Sequence, residues 1–254
     1  DSFAKVTLSA SNRLLTTGSG SFHATGNLDL VTPLLTGGQQ AKHQISSGAT
    51  LSLSRPTASG NPLVGGLGSQ LTLQAADLEI NSNISLPSGQ LTLHATTGSL
   101  KIGNASSTII SAAGTEQIFT GAKRYSSGGT VNLISDNGSV TVDDAATISV
   151  ASHSRGGDAG QLNIRTPKGT FELTGTIDAS AGSGGKTGSF SLDAAMVAGG
   201  SLASIDQTLN QGNFTRSREY RIRTGEILID GIANSGIYRV STDSGNILVT
   251  GEID

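Results

Sequence analysis

An apolar–polar–apolar triplet recurs along this chain and leaves few folds open to it. It runs Leu71-Thr72-Leu73, Leu78-Glu79-Ile80 and Ile84-Ser85-Leu86, then Leu91-Thr92-Leu93, Leu100-Lys101-Ile102 and Ile109-Ile110. Val131-Asn132-Leu133, Val140-Thr141-Val142 and Ile148-Ser149-Val150 form the next set. Leu162-Asn163-Ile164, Phe171-Glu172-Leu173 and Ile177-Asp178-Ala179 follow. Period-two alternation is the signature of a strand with one buried face. Gly or a Gly–Ser pair introduces most of the triplets. Helical spacing is nearly absent; Ser201 to Asn213 is the one stretch that reads as a short turn of helix.

The triplets fall into threes, so the larger repeat holds three short strands. First strands begin at Leu51, Leu71, Leu91, Val131, Leu162 and Phe190, at intervals of 20, 20, 40, 31 and 28 residues. A repeat near 20 residues that lengthens by insertion predicts an all-β solenoid, in which extra residues leave at a corner without disturbing the stack. The insertions, 111–128, 151–160 and 180–189, all follow a third strand and are rich in Gly and Ser. At the ordinary spacing between strands, roughly 9–11 coils would make a rod about 45–50 Å long. We read residues 1–254 as a single shaft domain, less regular over 1–70 and regular over 71–254. Within the first part Val6-Thr7-Leu8, Leu28-Asp29-Leu30 and Leu51-Ser52-Leu53 fit the pattern, while Gly37–Ser47 and Arg55–Gly68 read as loops.

Composition narrows the function. The net charge of −3 is far from the basic balance of a nucleic-acid binder. Aromatics are 4% of the residues, so the core must be aliphatic, and there is no cysteine for disulfides or thiolate metal sites. No apolar run approaches the ~20 residues that cross a bilayer, so membrane insertion is not expected. The chain opens on Asp1-Ser2-Phe3 without Met or a leader, which reads as a processed or excised fragment of a larger protein.

The C-terminal wording is more specific. Arg221-Ile222-Arg223-Thr224-Gly225-Glu226-Ile227 precedes Asp230-Gly231, and Ser241-Thr242-Asp243-Ser244-Gly245-Asn246-Ile247 precedes Val249-Thr250-Gly251-Glu252-Ile253-Asp254. Thr174-Gly175-Thr176-Ile177-Asp178-Ala179-Ser180 echoes that ending earlier. These phrases resemble the repeat shafts of large exoproteins of the filamentous haemagglutinin type, as wording over 160–254 and as pattern over 70–254. The resemblance implies a right-handed parallel β-helix with three-strand coils of about 20–30 residues and corner-loop insertions. It also implies two-partner secretion through an outer-membrane partner, a secreted or bacterial cell-surface location, and attachment to a host-cell or surface glycan or protein receptor. The family's secretion domain carries Asn-Pro-Asn motifs; only Asn61-Pro62 stands here, so this stretch reads as shaft.

No residue set reads as an active site, and a non-enzyme is expected. Asp143, Asp144, Asp178 and Asp193 are the carboxylates a polysaccharide lyase or hydrolase could use, but Asp143 and Asp144 fit a turn and Asp178 an outward strand position. His23, His43, His94 and His153 are too scattered for zinc and lack a nucleophile elbow. Gly156-Gly157-Asp158 approaches a calcium-roll phrase and Gly182-Ser183-Gly184-Gly185-Lys186-Thr187 a phosphate loop, each without the required spacing. No cofactor is expected. Arg216, Arg218, Arg221 and Arg223 form the one basic cluster, a candidate for a polyanion such as a sulfated glycan, set against a solvated strand face balanced by Glu219 and Glu226. A carbohydrate-active β-helix or a phage tailspike-type rod is the alternative reading.

Overall fold

A computed structural model describes residues 3–254. The chain is nearly all-β, and its strands pair in parallel from one turn of chain to the next. The pairings sort into three columns. The first stacks nine strands: Ser19–Ala24, Lys42–Ser47, Gln70–Ala75, Gln90–Ala95, Thr130–Ser135, the leading parts of Gln161–Leu173 and Ser189–Val197, then Ser217–Ile222 and Tyr238–Thr242. The second runs Lys5–Ser9, Asn27–Val31, Thr50–Ser54, Asp77–Asn81, Leu100–Ile102 and Val140–Val142 into the trailing part of Gln161–Leu173. The third joins Leu14–Thr16, Leu34–Gly37, Asn83–Ser85, Thr108–Ser111, Ala146–Ser149 and Thr176–Asp178.

Matching side chains lie over one another, as the triplets require. Leu71, Leu91, Val131, Leu162 and Phe190 are successive register partners in the first column, and Leu73, Leu93, Leu133, Ile164 and Leu192 run beside them. All ten are at most 2% exposed. Burying each contributes roughly 1.5–3 kcal/mol, and each buries its face only because a neighbouring coil covers it. The expected sets of three, from Leu71 to Ile177, occupy the three columns in order.

The glycines that introduce the triplets have a steric cause. Gly129 and Gly160 enter the first column, and a Cβ on either would collide with the carbonyl oxygen of the glycine one coil away, Gly89 or Gly129. From Ala24 to Ala194, before Ile222 takes the place in the next coil, the inward position where the first column turns toward the second is small. It is Ala in several coils and otherwise Ser47, Ser135 or Thr166, whose hydroxyls donate to the carbonyls of Gly26, Gly98 and Gly138 at 2.6, 2.8 and 2.6 Å. Those three corner carbonyls are thereby satisfied without water.

Two assignments over residues 1–70 are corrected. Leu51 lies in the second column, between Leu28 and Leu78, and the first-column strand before Leu71 is Lys42–Ser47. Gly37–Ser47 is therefore not wholly a loop. Lys42-His43-Gln44 carries no aliphatic alternation, and the strand's one apolar residue, Ile45, is buried. His43 takes the position of Leu71, and the ring fits because its partner is Gly20. Arg55–Gly68 does form a loop; Leu34–Gly37 pairs directly with Asn83–Ser85, and the loop runs outside that junction.

The third column is interrupted once. Helix α1, Ala203–Gln211, packs between Thr176–Asp178 and Ile232–Ala233, inside the stretch where the sequence allowed a helical turn. It buries Ile205, Asp206 and Leu209, and the Ser201 hydroxyl accepts the Ala203 N–H at 3.0 Å. Beyond it the second and third columns resume as Ile227–Ile229 with Ile247–Val249 and Ile232–Ala233 with Glu252–Ile253.

Candidate functional site

The outer face of the first column carries two rows of polar side chains. Strand alternation aims every second residue outward, and the in-register stack turns each outward position into a row along the rod. One row is Thr72, Thr92, Asn132, Asn163, Ser191, Glu219 and Arg239. Its middle is a hydrogen-bonded chain. Ser191 Oγ donates to Asn163 Oδ1 at 3.2 Å, Asn163 Nδ2 to Asn132 Oδ1 at 3.0 Å, and Asn132 Nδ2 to Thr92 Oγ1 at 3.2 Å. Threonine ends at Thr92, and amides and hydroxyls continue the row.

The neighbouring row is His94, Ile134, Arg165, Asp193 and Arg221, with Asp136, Arg223 and Asp243 at the adjoining corner. Its charges are paired. Asp136 takes a bond from His94 Nε2 at 2.7 Å and one from Arg165 Nη1 at 2.7 Å. Arg223 grips Asp193 with two bonds of 2.7 and 2.8 Å, Arg221 grips Asp243 at 3.0 and 2.9 Å, and Arg239 Nη1 meets Glu219 at 2.6 Å. The His94 hydrogen bond foremost, then that from Arg165 against a desolvation penalty, holds the Asp136 carboxyl below its ordinary range. Arg221 does the same for Asp243. Between the rows lies an open groove. One section, of about 630 Å³, is lined by Ser191, Asp193, Glu219, Arg221 and Arg239 among others. The next, of about 270 Å³, shares Ser191 and Asp193 and runs on to Asn132 and Arg165.

The four arginines of the basic cluster divide. Arg216 is exposed, and Arg221 and Arg223 face outward as their alternation with Tyr220 and Ile222 predicts. Arg218 is a correction: it is 0% exposed and cannot meet a polyanion in solvent. Its register partner is Phe190, so the same phase that turns Tyr220 and Ile222 inward takes Arg218 with them. There it is fully bonded, to Asp206 Oδ1 at 2.9 Å, Asn210 Oδ1 at 2.6 Å and the carbonyls of Phe214, Asp206 and Asn234. Tyr220 and Tyr238 donate to the two Asp206 oxygens at 2.7 and 2.8 Å. Burial, then the Asp206 charge, pushes both phenols far above their ordinary range. Asp206, inside the helix, carried no sequence signal of this partnership.

The other expected candidates are dispersed. Asp143 and Asp144 lie just after Val140–Val142 at a turn, and Asp178 serves Ser180 locally, accepting its N–H at 3.0 Å and its hydroxyl at 2.7 Å. Asp193 is held by Arg223. The three expected insertions meet at one corner. The first contains an antiparallel hairpin, Glu116–Phe119 with Ala122–Tyr125, whose Tyr125 ring stacks on His153 of the second at 4.6 Å. The second bonds to the third through Asp158 Oδ1, which accepts the Lys186 N–H at 2.9 Å. The calcium-like and phosphate-loop-like phrases are thus parts of two stacked corner loops. His23 and His43 bond to Ser46 and to the Thr17 carbonyl. Among the described residues no three His, Asp or Glu side chains gather as a metal site, and no helix is long and apolar enough to cross a membrane.

Compared with known proteins, the chain matches no protein-family model, no curated protein and no solved structure.

Proposed function

We propose that the chain is a right-handed parallel β-helix that serves as a non-enzymatic structural and adhesive shaft of a bacterial secreted or surface exoprotein of the filamentous haemagglutinin type. In this reading it leaves the cell through an outer-membrane secretion partner and attaches to a surface glycan or protein receptor. The observation that carries it is the unbroken register of nine strands in the first column, which presents one continuous outer face along the rod. Apart from the two turns in which the Arg55–Gly68 loop and helix α1 replace the third strand, each turn of chain visits the first, second and third columns in the same order, the route a parallel β-helix requires. Lengthened turns leave at one corner, as in a rod that can grow without repacking.

The paired charges support a binding role over a hydrolytic one. A glycosidase needs one carboxylic acid with a raised pKa beside a second, ionised carboxylate. On this face Asp136 and Asp243 are shifted the other way, and Asp193 and Glu219 are bound to arginines. Beads coated with the purified chain test the reading. They are expected to adhere to cell monolayers or polysaccharide-coated surfaces above an uncoated control, while soluble polysaccharides mixed with the chain keep their length. Depolymerisation abolished by Asp193→Asn would instead establish the carbohydrate-active alternative.

A further inference from the structure

The groove on the first column has a chemistry that selects its ligand. Resting on the adhesive reading above, we propose that the stretch from Asn132 to Arg239 binds a neutral, hydroxyl-rich glycan chain laid along the rod axis.

Charge balance excludes a polyanion as the natural occupant. Four arginines (165, 221, 223 and 239) meet four carboxylates (136, 193, 219 and 243), each within 3.0 Å of a partner. A sulfated or carboxylated chain would lie against those four carboxylates, whose repulsion offsets the attraction of the guanidinium groups. A hydroxyl meets no such repulsion. It can accept from a free guanidinium N–H and donate to a spare carboxylate lone pair, because neither group is saturated by one bidentate contact. The amide row offers the same duality. Asn132 and Asn163 each commit one N–H to the row, leaving a second N–H and a spare lone pair on the carbonyl for solvent.

Geometry adds length and order. Register places Asn132, Asn163, Ser191, Glu219 and Arg239 one per coil over five coils. The four steps at about 4.8 Å span about 19 Å, the length of a short oligosaccharide. Half-buried Ile134 lies in the groove on the outward row and gives the C–H face of a sugar ring an apolar surface. The polar groups are held by one another before any ligand arrives, so binding orders few side chains.

The experiment is a titration of the purified chain with neutral β-linked gluco-oligosaccharides and galacto-oligosaccharides, from disaccharide to hexasaccharide, with a heparin hexasaccharide as comparator, followed by NMR and calorimetry. Affinity for at least one neutral series should rise with chain length and then level off once the groove is filled, with shifts confined to the first-column face. The Asn132→Ala/Asn163→Ala double variant should weaken binding about tenfold, the loss of one to two hydrogen bonds, while its thermal unfolding stays close to wild type. Arg124→Ala, on the corner hairpin, should change nothing. Binding of heparin alone, affinity independent of length, or equal binding by the double variant would each overturn the proposal. If coated beads adhere and the double variant adheres as well as wild type, the groove assignment fails and the adhesive reading survives. If wild-type beads do not adhere, the adhesive reading fails.

Discussion

The middle coils and the coils around helix α1 solve the same interior in opposite ways. From Leu71 to Ile177 three strands close each turn, and the space between them is filled by columns of Leu, Ile and Val that repeat almost unchanged. Around the helix the third strand is missing. The interior holds an aromatic run instead, with Phe190 packed 6.3 Å from Phe214 and 5.7 Å from Tyr220, and Tyr220 5.5 Å from Tyr238. In its midst lies the buried Arg218–Asp206 pair. A helix is wider than a strand and cannot continue the ladder hydrogen bonds, so the coils on either side lose strand partners there. Arg218 replaces some of them, since its guanidinium ties α1 to the Asn234 carbonyl next to the resumed column. Repetition stabilises the first region, and a unique network the second.

The largest expected effect tests the network. Arg218→Ala leaves Asp206 as an uncompensated buried charge and should cost about 3–5 kcal/mol, a fall in Tm on the order of 10 °C for a chain of this size. Arg218→Met with Asp206→Leu should recover much of that loss, because a buried pair stabilises little beyond an apolar pair of similar volume. A double variant as unstable as Arg218→Ala would show that the network does more than fill space.

In the middle coils, Leu93→Ala opens a gap between Leu73 and Leu133 and should cost about 2–5 kcal/mol in chemical denaturation. A smaller penalty there would mean that the aliphatic columns repack around voids. Gly160→Ala probes the corner instead, where the new methyl must push back the Gly129 carbonyl, at about 1–3 kcal/mol.

The smallest effect is electrostatic. The folded chain depresses the Asp136 carboxyl, so its contribution to stability is complete above the unfolded value near 3.9. It is lost as pH falls below that value and through the folded one. His94→Ala should move the NMR titration of Asp136 upward and shift acid unfolding to slightly higher pH. An unchanged titration would assign the depression to Arg165 alone.

Much of this architecture is legible in the residues. Every triplet from Leu71 to Ile177 occupies a strand, the three insertions share a corner, and the one helical stretch is helical. The error at Leu51 arises because first-column and second-column triplets have the same alternation, and only pairing reveals to which column a strand belongs. Lys42–Ser47 was hidden because a strand covered by neighbours on both sides can carry His where others carry Leu. Of the groove, the outward phase of Asn132, Asn163, Arg221 and Arg223 is readable. The pairing of Arg223 with Asp193, 30 residues away, is not.

The sequence by itself determined that this chain stacks short strands. Alternation selects a buried face, and aliphatic residues recurring at each turn can be buried only by their counterparts in the next. The tertiary structure alone decided which charges face water and which face each other. Arg218 and Arg221 stand three residues apart with the same intrinsic preference for solvent, yet one is sealed against Asp206 and the other lines the groove. Strand phase turned them to opposite faces, and the inward one became tolerable only because a helix brought a carboxylate and an amide within hydrogen-bonding reach.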